Sequence, residues 1–286
     1  MSLPNTALLA RLRICMPGNR HKDATLTHDV HARHGMSADS GLYQKLLLPE
    51  TAYHQHKRVA HAARKEHQRR TFSTDYGAIL PAAKVDDFIE TLTARRTEWD
   101  AANTDFFRHY PKYLDTARRK LNGAFKPEDY PAPSELPRLF VFEFQLLPMP
   151  SVDALDHIIG LADGRVAEMR QQLTRTAQAA GEATRHQLLQ RILDRLQRLG
   201  LSLANPDSPL RHDTVDRFRE LLDDAAAMNL TNDPGITRLV ADCRAHLTLA
   251  TESLRHDPVV RNRTLAATSL LLQSHGRRIE TPKASA

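Results

Sequence analysis

Large apolar residues recur every seven positions through the middle of the sequence, at Val85, Leu92, Trp99 and Phe106, with Phe88, Ile89, Phe107 and Tyr110 filling the flanking positions. At 100° per residue this pattern lays a wide apolar face along one side of a helix from Lys84 to Tyr110. A helix of that length must be covered by other elements, so it organises whatever folds around it. Pro111 either kinks this helix or divides it from a second one, because proline lacks an amide donor and its ring crowds the preceding turn. The second helix is expected to stop at Asn122-Gly123, where glycine supplies a natural end.

Two segments read as strands. Between Leu8 and Met16, Leu8, Ala10, Leu12 and Ile14 alternate with Leu9, Arg11, Arg13 and Cys15, a period of two that suits a half-buried strand. Between Leu139 and Leu147, Phe140, Phe142, Phe144 and Leu146 share one face. Pairing these two strands gives the long helices an apolar surface to pack on. Pro17-Gly18-Asn19 ends the first strand, Pro148 and Pro150 close the second, and four prolines make Lys126 to Pro137 extended or turned. The polar stretch from His21 to Gly41 reads as a loop, and a helix follows Pro49 and continues to Arg70.

The C-terminal half carries helical patterns only, at Val152 to Ala180, Thr184 to Leu199, Pro209 to Met228, Ile236 to Leu254 and Val259 to Leu272. Leu189, Ile192, Leu193, Leu196 and Leu199 form a narrow seam that suits self-association as readily as packing within one chain. Ser208-Pro209 is a helix start, Gly160 to Gly164 a turn or interruption, Asn232 to Gly235 a break, and the residues from Arg277 onward a frayed end. The expected fold is mainly α with a small antiparallel β element, in the α+β class, with a helical C-terminal half. The expected division is an α+β domain over 1–150, with a basic, His-rich N-terminal part, and a helical domain over 151–286.

No apolar run approaches the roughly 20 residues that cross a bilayer, which argues against a membrane protein. The N-terminal apolar stretch is interrupted by Arg11 and Arg13 and lacks a small-residue cleavage site, so the reading is cytoplasmic. Cys15 and Cys243 form neither a disulfide framework nor a metal half-site. Cys15 reads as a small buried hydrophobe rather than a reactive thiol.

The charge is unevenly placed. The first 73 residues hold 12 Lys and Arg against 5 acids, so they alone account for the formal excess of +6, and they carry eight of the 15 histidines. Such asymmetry points to a polyanion or an acidic partner surface. Within it, Lys57, Arg58, His61, Arg64, Lys65, Gln68 and Arg69 fall in an arc of about 140° on a helix, with Arg70 at the end able to swing towards a ligand. This face suits a phosphate backbone, an acidic protein or plain solvent. Aromatic interleaving is sparse, with Tyr53 and Phe72 flanking it. Falling pH would charge the neighbouring histidines and raise polyanion affinity below about pH 6.5.

Recognisable catalytic patterns are lacking. There is no phosphate-cradling glycine loop, no GxSxG elbow and no HExxH, and His28, His31 and His34 lie in a segment of loop composition. The carboxylate pairs Asp86-Asp87, Glu128-Asp129 and Asp223-Asp224 read as solvent-exposed rather than as acid–base machinery. The sequence therefore points to a protein that is not an enzyme, with no catalytic residue, no metal and no cofactor.

Gly77-Ala78-Ile79-Leu80-Pro81, Asp105-Phe106-Phe107 with Tyr110-Pro111, Tyr130-Pro131-Ala132-Pro133, Phe142-Glu143-Phe144 and Pro148-Met149-Pro150 together resemble an uncharacterised family of bacteriophage and mobile-element proteins. The resemblance runs from Tyr76 to Pro150, with an echo in the N-terminal strand, and it brings no catalytic residues. It implies genomic company: a MoxR-like AAA ATPase and a cobalt-chelatase-like or von Willebrand A-type protein. Two expectations follow. One is a phage or mobile-element accessory protein acting as adaptor or recognition component for an AAA ATPase assembly. The other is a nucleic-acid-binding protein for single-stranded or duplex DNA or RNA, using Lys57, Arg58, His61, Arg64, Lys65, Arg69 and Arg70.

Overall fold

The computed structural model describes residues 3–153, 163–205, 210, 212–247 and 250–276. Its elements run β1 (Ala7–Cys15), β2 (Arg20–Lys22), α1 (Ala24–His34), β3 (Gln44–Leu46), α2 (His54–Arg70), β4 (Phe72–Thr74), β5 (Gly77–Pro81), α3 (Val85–Leu121), a one-turn α4 (Leu136–Leu139) and β6 (Val141–Pro148). Then follow α5 (Asp163–Ala204), α6 (His212–Met228), α7 (Pro234–His246), α8 (Thr251–His256) and α9 (Pro258–Gln273). The fold is mainly α with a small antiparallel sheet, and its C-terminal half is helical. No helix among the described residues is long and apolar enough to cross a membrane.

The four-stranded sheet has the order β4-β5-β1-β6, so the two strands legible in the sequence are neighbours. Two further strands join them. β4 and β5 form a hairpin with Phe72 opposite Ile79, and β5 pairs antiparallel with β1, Leu80 opposite Leu8. The hairpin turns at Asp75-Tyr76, and Gly77, which opens β5, has a φ of +110° that lies where side chains other than hydrogen are strained. Its strands are too short, at three and five residues, for a period of two to show. β2 and β3 form a separate two-stranded sheet, Arg20 opposite Leu46.

The polar stretch from His21 to Gly41 is not a loop throughout. It holds β2 and α1, because Asp23 caps α1 by accepting from the Leu26 amide at 3.0 Å and Gly35 ends it at φ +61°. Pro111 does not divide the central helix either. α3 continues through it, since Tyr110 on one side and Tyr113 on the other both pack on Phe106. The left-handed stop falls at Asn122, φ +45°, rather than at Gly123.

In the C-terminal half the first two expected helices merge into α5. Gly181 lies inside that helix and costs about 1 kcal/mol of propensity, which buried Ala180 and Leu188 on either side offset. The pattern from Ile236 to Leu254 is instead two helices, because Leu247 turns extended at the end of α7. The beginning of the Val152 to Ala180 pattern, most of the Gly160 to Gly164 turn, the Ser208-Pro209 start and the tail from Arg277 lie outside the described residues.

The chain packs as two units, each assembled from separated segments of the sequence. One comprises 1–10, 71–85 and 147–286, the other 11–70 and 86–146. The first has an aliphatic core in which Leu188, Ile192, Leu196 and Leu199 of α5 meet Val215, Phe218 and Leu222 of α6 and Leu272 of α9. Leu189 of the expected seam is only partly buried. Here β4 is secured on α5: the Gln187 side chain accepts from the Ser73 amide at 3.1 Å and donates to the Ser73 carbonyl at 2.6 Å, satisfying that residue's backbone at the sheet edge.

The second unit has an aromatic core. Trp99, Phe106 and Tyr110 of α3 pack with Tyr53, Phe140 and Phe142, the Phe106 and Phe140 rings being 5.0 Å apart. α2 lies antiparallel on the first half of α3: His56 bonds Asn103 near one end and Arg70 bonds Asp87 near the other. Ala60 and Ala63, buried to within 1% exposure, have no side-chain bulk to hold the two helices apart.

Candidate nucleic-acid interface

α2 is two-faced by sequence. His56, Val59, Ala60, Ala63 and Arg70 are buried, while Lys57, Arg58, His61, Arg64, Lys65, Gln68 and Arg69 are all exposed. The expected cationic arc is thus brought together on one surface. Glu66 is the single carboxylate on this helix. From Lys57 to Arg69 the face rises about 18 Å, the length of about five base pairs of duplex.

The members are held differently. Arg64 donates to the Ile14 carbonyl at 3.3 Å, which fixes the middle of α2 beside the end of β1. Arg69 pairs with Glu66 at 3.3 Å. Arg13, exposed on β1, pairs with Glu143 of β6 at 3.4 Å. Such solvent-exposed pairs are weak, about 0–1 kcal/mol, and open readily to a stronger anion.

Arg70 does not belong to the face. Its guanidinium is 7% exposed, donates to both Asp87 oxygens at 2.8 and 3.0 Å and to the Thr91 hydroxyl at 2.9 Å, and also pairs with Glu66. Burial alone would lower its pKa, but the Asp87 and Glu66 hydrogen bonds outweigh that and hold it above the usual arginine value. A side chain so anchored cannot swing towards a ligand. Its role is to tie the end of α2 to α3.

Behind the cationic face lies His56, 1% exposed, its Nε2 3.0 Å from Asn103 Oδ1 and its ring edge-on to Trp99. Burial lowers its pKa more than the Asn103 bond raises it, so the imidazole is kept neutral. Of the histidines in the expected loop, His21 lies in β2 and the other three ride on α1, where His28 and His34 are exposed and His31 is half-buried. Among the described residues no group of three or more His, Cys, Asp or Glu is placed to hold a metal ion.

A buried ionic cluster in the same unit had no sequence signal in its spacing. Lys45 of β3, with its side chain 1% exposed, lies 3.0 Å from Asp23 and 2.5 Å from Asp129 and donates to the Ala124 carbonyl at 3.0 Å. Two of the ammonium protons are thus placed in hydrogen bonds, to Asp23 and to the Ala124 carbonyl, while Asp129 is held as an ion pair. Burial would lower the Lys45 pKa, but the two carboxylates more than compensate and raise it. The Leu26 amide and then Lys45 hold the Asp23 carboxyl below its usual value. Asp129 also meets His21 at 3.2 Å, and its side chain is 6% exposed, so the Glu128-Asp129 pair is not a solvated one. The signals available were Asp23 and Gly35 as caps of a helix, which would have placed Asp23 in structure.

The two cysteines separate. Cys15 is exposed at the end of β1, not buried, because the strand's alternation turns it to the same side as Arg11 and Arg13. Cys243 is buried in α7, and burial pushes its thiol up to about 12. Comparison of the chain with protein-family models, curated proteins and solved structures yields no match.

Proposed function

We propose that this protein is a non-enzymatic accessory factor that binds nucleic acid along the exposed face of α2. The observation behind this reading is the solvent exposure of Lys57, Arg58, His61, Arg64, Lys65 and Arg69 on one side of a helix whose other side is anchored in an aromatic core. A preorganised row of cations loses little freedom on binding, and each phosphate it neutralises releases counterions. The reading is tested by fluorescence anisotropy with labelled single-stranded DNA, duplex DNA and RNA at low salt. Binding by the wild type and its loss in a K57E/R58E/K65E variant of unchanged helicity are expected. Equal binding by both proteins would remove the surface from consideration.

A second reading keeps the resemblance to phage and mobile-element proteins in view: a cytoplasmic adaptor for an AAA ATPase assembly, self-associated or not. It is favoured by Val30, Met36, Leu42, Tyr43 and Leu46, large apolar side chains exposed within one short stretch of the aromatic unit. The Tyr43 amide donates to the Thr27 hydroxyl and the Tyr43 carbonyl accepts from Asp23, so this stretch is fixed against α1. Affinity purification from the native host is expected to recover an ATPase with the wild type and to lose it with L42D/Y43D. Recovery of no protein partner at all would count against the adaptor reading.

A further inference from the structure

At the N-terminal end of α2 the aromatic unit encloses a cavity of about 290 Å³, and we propose that it is a nucleotide site that seats a planar base between tyrosine walls, with the phosphate at Arg20 and His21. This deepens the nucleic-acid reading by naming the part of the ligand that the α2 cations do not contact. The volume suits one small ligand, lying at the lower end of ordinary small-molecule pockets at roughly 300 Å³.

Three tyrosines, Tyr53, Tyr110 and Tyr130, line the cavity. Two of their hydroxyls are already committed: Tyr110 donates to the Pro131 carbonyl at 2.9 Å and Tyr130 to the Leu47 carbonyl at 3.1 Å. Those bonds fix the rings and leave them as walls. The Tyr53 hydroxyl has no hydrogen-bond partner among the described residues, although the residue is only 5% exposed. The hydroxyl is not fully buried, so a ligand in the cavity can bond it through an acceptor or a donor.

Each ring is braced from outside the cavity. Tyr53 lies 5.2 Å from Phe106, Tyr110 lies 5.7 Å from Phe106, and Tyr130 stacks on Phe125 at 5.0 Å, with the Arg118 guanidinium also over the Phe125 ring. The walls are therefore set before any ligand arrives, which keeps the ordering cost of binding low. Flat aromatic walls favour a flat aromatic occupant, and base–aromatic stacking tolerates any base.

Arg20 gives an anionic tail a partner at the opening. Arg20 and His21 line the cavity and are exposed, so they stand where it meets solvent. Asp129 also lines it, but one of its oxygens meets Lys45 and the other His21. Lys45 faces Asp23 as well as Asp129, so the cluster offers no spare cation, and the Arg20 guanidinium at the opening is the group available to a phosphate. A planar base bearing a phosphate matches both parts, whether as a free nucleotide or as an unpaired base of a strand lying along α2.

Isothermal titration with AMP tests the site, beside anisotropy with a single-stranded oligonucleotide and the same oligonucleotide carrying an abasic position. Two variants report on it. Gly18 lines the cavity, and a Cβ there meets nothing within 4 Å, so Gly18→Phe adds bulk without a backbone clash. Tyr53→Phe removes only the unpartnered hydroxyl. The expected results are AMP binding by the wild type, at least tenfold weaker binding by Gly18→Phe, a several-fold loss in Tyr53→Phe, and weaker binding of the abasic oligonucleotide. AMP binding without oligonucleotide binding would support the cavity and defeat the strand reading. Salt-dependent oligonucleotide binding with no AMP binding and no abasic penalty would overturn the cavity and leave the α2 surface standing. Equal AMP affinity in the wild type and both variants, at unchanged thermal midpoints, would place the nucleotide elsewhere and overturn the inference.

Discussion

The two units of this chain solve the burial problem with different chemistry. The unit of residues 1–10, 71–85 and 147–286 hides mostly leucines, isoleucines, valines and small residues, with Phe72 and Phe218 as its fully buried rings, a core that can rely on area alone at about 25 cal/mol per Å². The unit of residues 11–70 and 86–146 hides Trp99, Tyr53, Tyr110 and several phenylalanines together with Lys45, Asp23, His56 and Arg70. Buried ions contribute little net stability compared with apolar replacements, but they are severe when left unpaired. Among the described residues these buried ions fall in one unit, which marks it as specified by geometry. It is also the unit that turns a row of cations to solvent.

That contrast can be broken most forcefully at Lys45. Lys45→Met leaves Asp23 and Asp129 without their counter-ion and is expected to cost about 3–5 kcal/mol. The chain's single tryptophan, Trp99, is in the aromatic core, so its fluorescence in a urea titration reads this loss directly. An unchanged midpoint would show that the cluster is dispensable. In the aliphatic unit, Leu196→Ala opens a cavity in α5 and is expected to cost about 2–5 kcal/mol, a loss read by circular dichroism that stays constant from pH 5 to 8.

Acid sharpens the distinction. His56 is buried neutral with its pKa below the usual 6.5, so the unfolded chain takes up the proton first as pH falls. Its contribution is fully present above about pH 6.5 and is lost as pH drops through the lower folded value. The Trp99 urea midpoint should fall over that window, with a slope no steeper than about 1.4 kcal/mol per pH unit from this group. His56→Gln should flatten it. A slope that persists in that variant would assign the acid sensitivity to other groups.

The smallest stability effect is expected where the functional effect is largest. Reversing Lys57, Arg58 and Lys65 touches only solvent-facing side chains, and each substitution should shift stability by no more than about 0.5 kcal/mol. A larger loss by thermal melting would mean that these residues hold the fold rather than a ligand.

The sequence made some of this legible and concealed the rest for identifiable reasons. The recurrence from Val85 to Phe106 and the alternation in β1 and β6 are local, repeated signals, and α3 and the pairing of the two strands follow them. α1 escaped because its one buried residue is Thr27, so no apolar stripe announces it and only its caps do. β4 and β5 escaped because they are short, with β4's edge satisfied by Gln187 from 114 residues away. The exposed members of the α2 face were legible because helical geometry alone fixes them. Arg70 was not, since its partners Asp87 and Thr91 come from another helix, and neither was the Lys45 cluster or the tyrosine cavity, which join residues distant in sequence.

The central claim is that the α2 cations contact phosphates, and the salt dependence of binding measures that contact. For single-stranded DNA the slope of log K against log salt is about −0.7 per phosphate neutralised. Removing Lys57, Arg58 and Lys65 by charge reversal is therefore expected to make the slope shallower by about 2. A slope identical to that of the wild type would contradict the account.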